Sequence, residues 1–173
     1  MKKVFLAFCL LAVLTGCSTN KGGDAITVVD RVDMDRFMGK WYVVSTVPNV
    51  FDRKPHNATV QFSRADRGIR LEYAFNSGDY NGKEKLIKCK VMVDNPGINS
   101  DWQITWPWPF ARDLRVVYFE PDYSAAVLAS PNKKDAWIIA RSPNVDPPLF
   151  SDMILYLQQF GFDVGKMRRV PHG

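Results

Sequence analysis

The sequence predicts an all-β fold, an eight-stranded antiparallel up-and-down β-barrel followed by one C-terminal α-helix. The first observation is a series of eight segments with alternating polarity or many β-branched and aromatic residues, a pattern typical of an antiparallel sandwich or barrel. The second is that helical spacing of apolar residues is found only near the C-terminus. The third is that short turns join the segments in order, which favours up-and-down neighbours. Closure would remove exposed edges and enclose room for a small ligand, but the pattern alone also fits a sandwich.

The first 16 residues have the features of a secretory signal. Two lysines precede an uninterrupted apolar run at residues 4–14, and the small residues Thr15 and Gly16 follow it. A positive start, an apolar core of about 7–15 residues and a small-residue cleavage site define such a signal, and the run is too short to span a membrane. We therefore expect this segment to be cut off and to take no part in the fold.

Cys17 directly follows the signal and begins a polar stretch. The tetrapeptide Leu14-Thr15-Gly16-Cys17 resembles the bacterial lipobox, in which the cysteine thiol takes a diacylglyceryl group, the signal is cut before it, and the new amine is acylated. Two or three acyl chains, at ~0.8 kcal/mol per buried CH₂, hold a protein on a bilayer essentially permanently. Such lipoproteins with Asp after the cysteine tend to stay in the inner membrane, so Ser18 indicates an anchor in the cell outer membrane. The alternative is a secreted protein whose cysteine follows the signal by accident.

The mature chain is long enough for one domain with a packed core. Removing the 16 signal residues from the 173 leaves 157. We predict a lipidated N-terminus and tether at residues 17–33, with its apolar second half against the domain, and a barrel domain at residues 34–173. Loss of two lysines lowers the formal charge from +5 to +3, and this scattered excess predicts no nucleic-acid partner. Cys9 leaves with the signal and Cys17 is acylated, so Cys89 has no disulfide partner.

The first four strands are predicted by residue type and by alternation. Segment 40–47 is rich in β-branched and aromatic residues, and segments 57–64 and 69–75 place apolar residues at every second position. The turn sequence NSGDYNG then separates the third strand from segment 85–93, where apolar residues alternate mainly with lysine. Such alternation predicts strands with one face toward a core and the other toward solvent.

The last four strands follow at similar spacing. Segment 102–106 places two tryptophans and an isoleucine on one face, and segments 114–120, 123–129 and 136–141 are rich in apolar and β-branched residues. Together with the first four they complete the eight strands of the predicted barrel.

One helix is predicted after the eight strands. In segment 151–162 the apolar residues that form a single helical stripe are Met153, Ile154, Leu157 and Phe160. Ser151 and Asp152 are suitable residues for its N-terminal cap. A final short strand is predicted at residues 167–170.

Three short motifs, in order along the chain, resemble those of the lipocalin family. Gly39 and Trp41 follow a short helical turn and open the first strand, as in the family's G-x-W motif. Asp122 and Tyr123, between the sixth and seventh strands, resemble the second motif, although a proline replaces its usual threonine. Arg141 resembles the arginine of the third motif, which in lipocalins packs over the G-x-W tryptophan at the closed end of the barrel. A cation–π contact and donors to nearby carbonyls suit such a plug.

The resemblance covers about residues 30–170. Together with the lipobox, it indicates one subgroup of the family. Segments 137–143 and 161–170 are similar to those of the bacterial outer-membrane lipocalins. That subgroup often has a turn rich in Gly, Phe and Tyr where this chain has TWPWPFARD at residues 105–113. The chain therefore departs from the pattern of the subgroup at this turn.

The family implies a binding protein, and a barrel with apolar and aromatic inward residues suits an acyl chain. For a protein tethered to lipid, the expected ligand is a small hydrophobic molecule, a fatty acid or a lysophospholipid. Its carboxylate or phosphate head could meet Arg53, Lys54 or Arg112 near the mouth. Strand parity, which one bulge can reverse, gives these candidates for the cavity wall: Phe62, Leu71, Tyr73, Val91, Trp102, Ile104, Trp106, Val116 and Tyr118.

Enzymatic and metal chemistry find little support in the sequence. Cys89 has the parity of an inward residue, but no neighbouring group would activate its thiol, so a buried inert cysteine is the favoured interpretation. A haem or metal site would need several ligands, and the chain contains only His56 and His172. We predict no catalytic residues, no metal and no cofactor.

A second class of function stays open. The barrel could be filled by side chains and serve as an envelope interaction or structural module, acting through an exposed surface such as the tryptophan-rich turn at residues 106–110. This alternative predicts little interior space and no lipid cargo. The sequence does not predict the oligomeric state, the chain length of the ligand or the face of the outer membrane that the barrel meets.

Overall fold

An antiparallel β-barrel with one long helix on its outside is formed by residues 29–49, 51–105 and 111–173, the part of the chain that the computed structural model describes. The predicted fold class is therefore confirmed, and the sandwich is excluded. A short helix α1 (Met34–Phe37) precedes the barrel, and helix α2 (Pro147–Gln159) follows it. The strands are β1 (Gly39–Thr46), β2 (Pro55–Arg64), β3 (Ile69–Ser77), β4 (Glu84–Val93), β5 (Asp101–Thr105), β6 (Ala111–Phe119), β7 (Ala125–Ala129), β8 (Ala136–Ala140) and the short β9 (Arg168–Arg169).

Each strand from β2 to β8 pairs antiparallel with the next, and β1 closes the ring by pairing with both β8 and β2. The barrel therefore has two distinct ends. Helix α1 and the β2–β3, β4–β5 and β6–β7 connections lie at one, which we call the closed end. The β1–β2, β3–β4, β5–β6 and β7–β8 connections lie at the other, which we call the mouth.

The junction between β1 and β2 is hydrogen-bonded as a ladder only near the closed end. There Gly39 to Tyr42 pair with β2, whereas Ser45 and Thr46 pair with β9. The C-terminal residues lie between the two strands toward the mouth: the Val170 N–H donates to the Val44 carbonyl (2.9 Å) and the Asn57 N–H donates to the Pro171 carbonyl (2.8 Å). The end of the chain thus fills the gap where β1 and β2 separate.

Two apolar clusters hold the fold together. One fills the barrel interior and includes Trp41, Phe62 and Trp102. The other lies between the outer face of β1, β6, β7 and β8 and helix α2, which contributes the buried Met153 and Leu157. All five residues of β7 and of β8 are buried, because these strands face the interior on one side and the helix on the other.

The prediction that Ser151 and Asp152 cap the long helix is wrong. Helix α2 begins four residues earlier, at Pro147, with Asp146 at the N-cap position. Proline suits the first turn of a helix because its missing N–H would have no intrahelical partner there. The two prolines at 147 and 148 therefore set the start, and the Ser151 hydroxyl donates to the Pro147 carbonyl within the first turn (2.9 Å).

The segment before α1 is attached to the barrel. Val32 is fully buried in the interior cluster, and its N–H donates to the Ile98 carbonyl (2.8 Å). Val29 packs against the same cluster. Among the described residues, no helix combines the length and hydropathy needed to cross a membrane. The predicted signal and Cys17 lie outside the described residues.

Candidate functional site

The closed end of the barrel is sealed by aromatic side chains. Phe37 of α1 lies 5.0 Å from Trp41, 5.4 Å from Phe62 and 5.3 Å from Trp102, measured between ring centroids. The Trp41 indole N–H donates to the Phe37 carbonyl (2.8 Å), so the helix and the first strand are joined by a hydrogen bond as well as by packing. These rings leave the mouth as the end through which a ligand would reach the interior.

Arg141 covers this seal from outside. Its guanidinium carbon lies 3.7 Å from the centre of the Trp41 ring, within cation–π distance. The guanidinium also donates to the carbonyls of Lys40 (2.8 Å), Arg36 (2.6 Å) and Met38 (2.9 Å). Arg141 therefore satisfies backbone acceptors where α1 ends and β1 begins, and partial burial lowers the pKa of its guanidinium.

Gly39 is the position where this arrangement needs a glycine. Its φ of +100° lies in the region that L side chains rarely adopt, and an added Cβ would lie 3.3 Å from the Arg141 guanidinium. A side chain at this position would strain the turn and push the arginine away from Trp41.

Asp122 and Tyr123 also lie at the closed end. The Tyr123 hydroxyl accepts from the Asp33 N–H (2.8 Å), and the Tyr123 ring stacks on Phe119 with a centroid distance of 4.6 Å and under the Arg36 guanidinium at 4.3 Å. The Asp122 carboxylate accepts from the N–H of Ser124 (2.9 Å), and the bonds from Ser124 lower the pKa of Asp122. The tether, α1 and the β6–β7 turn are thereby joined, so the three sequence motifs meet at one end of the barrel.

Seven of the nine candidates for the cavity wall are buried in the interior cluster: Phe62, Leu71, Tyr73, Val91, Trp102, Ile104 and Val116. Trp106 lies outside the described residues. The remaining candidate, Tyr118, is misplaced by the prediction.

Tyr118 lies on the outside of the barrel. The pairing of β6 with β7 shifts between Val116 and Tyr118, a bulge that reverses which residues face inward. The Tyr118 ring packs 5.5 Å from Tyr156 of α2, and its hydroxyl donates to Glu120. The prediction of an inward Tyr118 is wrong because strict alternation fails at the bulge.

Sequence reasoning missed several residues of the interior wall, including Phe75, Leu114, Leu128, Trp137 and Ile139. Phe75 had the parity of Leu71 and Tyr73 and could have been found from it. Leu128, Trp137 and Ile139 lie on β7 and β8, whose residues are apolar on both faces. A continuous apolar run carries no parity signal, so the sequence could not separate inward from outward residues there.

A buried carboxylate lies at the mouth. Asp52, on the connection between β1 and β2, has only 1% of its surface exposed. Its Oδ2 accepts from the Tyr73 hydroxyl (2.9 Å) and its Oδ1 from the Asn49 N–H (3.0 Å). Burial raises the pKa of Asp52, and these two bonds and the positive charge of Arg112 oppose the rise. The same surroundings raise the pKa of Tyr73, mainly through burial.

A small cleft adjoins this group. It has a volume of about 20 Å³, and Ile104, Leu114 and Trp137 form its apolar side. Arg112 and Asp135 form an ion pair on its polar side. Arg112 lies directly opposite the inward-facing Ile104 in the β5–β6 ladder, and cross-strand partners share a face of the sheet. Its side chain is therefore on the inner face of the barrel, at the mouth. Of the three basic residues considered for a head group, Arg112 lines the cleft, whereas Arg53 and Lys54 are exposed.

The remaining candidate groups for enzymatic or metal chemistry are the Cys89 thiol and the two histidines. Burial raises the pKa of the Cys89 thiol to about 11, so the thiol is protonated at neutral pH and is a poor nucleophile. The His172 Nε2 lies 3.0 Å from the Val43 carbonyl, while His56 packs against Tyr80. No group of three or more His, Cys, Asp or Glu side chains suited to a metal ion is found in residues 29–49, 51–105 and 111–173.

Comparison with known proteins gives two family matches. The family model described as a lipocalin-like domain matches residues 32–172, and the prokaryotic membrane lipoprotein lipid attachment site matches residues 1–18. The chain is similar to the outer membrane lipoprotein Blc of Escherichia coli, with 25% identity over 89% of this chain and 87% of that protein. The Blc protein of Vibrio cholerae is 26% identical over 96% of both chains. Among solved structures, insecticyanin from the tobacco hornworm Manduca sexta has a TM-score of 0.65 at 15% identity and covers 86% of this chain and 85% of its own.

Proposed function

The chain belongs to the lipocalin family, and on that premise we propose that it binds and carries fatty acids or lysophospholipids in its barrel. The lipid attachment site and the similarity to outer membrane lipoproteins identify it as a lipoprotein anchored in the outer membrane. A carrier anchored in this way meets acyl lipids released from the membrane that holds it.

The observation that carries the proposal is the distribution of polarity along the barrel axis. From the closed end to the level of Tyr73 the described interior is apolar and aromatic. At the mouth the interior becomes polar: the Tyr73 hydroxyl and the Asn49 N–H donate to the Asp52 carboxylate, and the Arg112 guanidinium is paired with Asp135. An amphipathic molecule with an acyl chain and an acidic head has the same order of polarity.

Binding of an acyl chain requires the mouth to widen. The cleft of about 20 Å³ is far smaller than the ~300–1,000 Å³ typical of ligand pockets. The rings of Phe75 and of Trp137, which lines the cleft, pack in the interior against Tyr73, with centroids 5.0 and 5.2 Å from that of Tyr73. Burial of ten methylenes would contribute about 8 kcal/mol, which can offset the displacement of side chains of this kind.

Titration of the delipidated domain tests the proposal. Residues 18–173 contain every described contact, and circular dichroism would show that this chain is folded. A fluorescent fatty acid should bind at one saturable site with a micromolar or tighter Kd and should be displaced by oleate or by lysophosphatidylcholine. Absence of saturable binding to folded, delipidated protein would contradict the carrier function.

A filled barrel that acts as an envelope interaction module is the second candidate. The small size of the cleft and the contacts among the interior rings favour it. Under this candidate the titration shows no saturable binding, and no lipid is extracted from protein purified without delipidation. The same experiment therefore separates the two functions.

A further inference from the structure

Asp52 is the one acidic residue in the described part of the chain that is buried, with 1% of its surface exposed. Transfer of a carboxylate away from water is costly unless donors replace the lost water. Here each oxygen accepts one protein hydrogen bond, Oδ1 from the Asn49 N–H (3.0 Å) and Oδ2 from the Tyr73 hydroxyl (2.9 Å). The surroundings of Asp52 are therefore those of a site built for a carboxylate.

We propose that the Tyr73 hydroxyl and the Asn49 N–H, beside the positive charge of Arg112, form the binding site for the carboxylate of a fatty acid, and that Asp52 competes with the ligand for it. This inference rests on the proposed function and names the head group that the site selects.

The position of the site favours an acyl carboxylate over a purely structural contact. The Tyr73 ring is flanked by Phe75 and Trp137, whose rings belong to the interior wall. A carboxylate held by the Tyr73 hydroxyl would therefore have its attached chain directed along apolar surface. Arg112 is ion-paired with Asp135, and its positive charge also favours the ionised form of Asp52, so it would favour a ligand carboxylate in the same place.

Asp52 and a ligand carboxylate would compete for this site because both are negatively charged and because the site has few hydrogen-bond donors. Two carboxylates at one site repel each other, and the Tyr73 hydroxyl has one proton to donate. Asp52 lies on the connection before β2 and not within a strand, so its side chain can withdraw without loss of a ladder hydrogen bond. Ligand binding thus includes the transfer of the Tyr73 hydrogen bond from one carboxylate to another.

The test compares four variants of the chain from residue 18, all checked by thermal unfolding. Oleate, methyl oleate and lysophosphatidylcholine are titrated in displacement assays against Asp52→Ala and Tyr73→Phe. Asp66→Ala, an exposed aspartate at the closed end, and Tyr118→Phe, a tyrosine outside the barrel, are the matched controls.

We expect Asp52→Ala to bind oleate about tenfold more tightly than wild type and Tyr73→Phe to bind it about tenfold more weakly, the effect of one charge-assisted hydrogen bond. Methyl oleate, which has no anionic head, should bind all variants within about twofold, and the two controls should match wild type. If Asp52→Ala is too unstable to assay, Asp52→Asn removes the charge with little change of shape and should shift oleate affinity in the same direction.

Other outcomes are equally informative. Oleate binding that is unchanged or weaker in Asp52→Ala overturns the inference but leaves the carrier function standing. Tighter binding of lysophosphatidylcholine without a change for oleate assigns the site to a phosphate and also overturns it. Failure of every variant and of wild type to bind any of the three lipids contradicts both the inference and the proposed function.

Discussion

Arg141 shows how much of the closed end depends on one side chain. Its guanidinium donates to four backbone carbonyls between α1 and β1 and stacks on Trp41. Without Arg141 these carbonyls would need water or another donor, and those of Phe37 and Met38 are partly buried. The residue thus links the helix that seals the barrel to the strand that closes it.

Replacement of Arg141 by alanine should lower the free energy of unfolding by about 3 kcal/mol, because several charge-assisted hydrogen bonds and a cation–π contact are lost together. Urea denaturation monitored by tryptophan fluorescence measures the change. Arg64→Ala is the control, since Arg64 forms an exposed ion pair with Asp35 and such pairs contribute about 0–1 kcal/mol. Equal effects of the two substitutions would mean that Arg141 is only a surface residue.

Helix α2 packs on the outer face of the barrel wall. Its Met153 and Leu157 are buried against β1, β6, β7 and β8, and Tyr156 donates to the Val117 carbonyl (2.7 Å). The helix covers the wall without entering the interior. Its packing should therefore affect stability and not ligand binding.

Leu157→Ala should destabilise the fold by about 2–5 kcal/mol, the range for removing a fully buried leucine side chain. Leu155→Ala provides a control on the same helix, because Leu155 is 52% exposed and its loss should cost little. Thermal and urea unfolding measure both. Oleate affinity of folded Leu157→Ala should equal that of wild type, and a large loss of affinity would show that the helix contributes to the ligand site.

The sequence predicts a strand and its inward face most clearly where the other face of that strand meets solvent. Segment 69–75 alternates clearly, and β3 extends from Ile69 to Ser77. On β7 and β8 the residues do not alternate in polarity, because the helix buries the second face of these strands. At Tyr118 alternation predicts the wrong face, because the bulge there has no local sequence signature. The pair formed by Asp52 and Tyr73 could not be predicted, because it joins a connection to a strand 21 residues away.

The barrel and the N-terminal lipid attachment motif have separate roles in the molecule. The motif determines where the protein resides, and the barrel determines what it can hold. The three lipocalin motifs could be recognised in the sequence because each consists of residues close together in the chain. Their meeting at one end of the barrel depends on the ring of eight strands.

Cys17→Ala should remove the protein from the outer-membrane fraction, because the thiol that accepts the lipid is lost. Fractionation of cells followed by immunoblotting measures the distribution. Cys89→Ala is the control: its thiol is buried in the barrel interior, so the protein should stay with the outer membrane. Retention of the Cys17 variant in the outer membrane would contradict the lipid anchor.

The separation of β1 from β2 toward the mouth has a consequence for the perimeter of the barrel. At the closed end the ring is a complete ladder, so its circumference is fixed by the number of strands. Toward the mouth the C-terminal residues lie between the two strands: β9 pairs with β1, whereas the bonds to β2 are those of Asn57 with Pro171 and Gly173. The mouth can therefore increase its perimeter by loss of the few contacts between β2 and the end of the chain, while every strand-to-strand ladder is kept and the sealed end is unchanged.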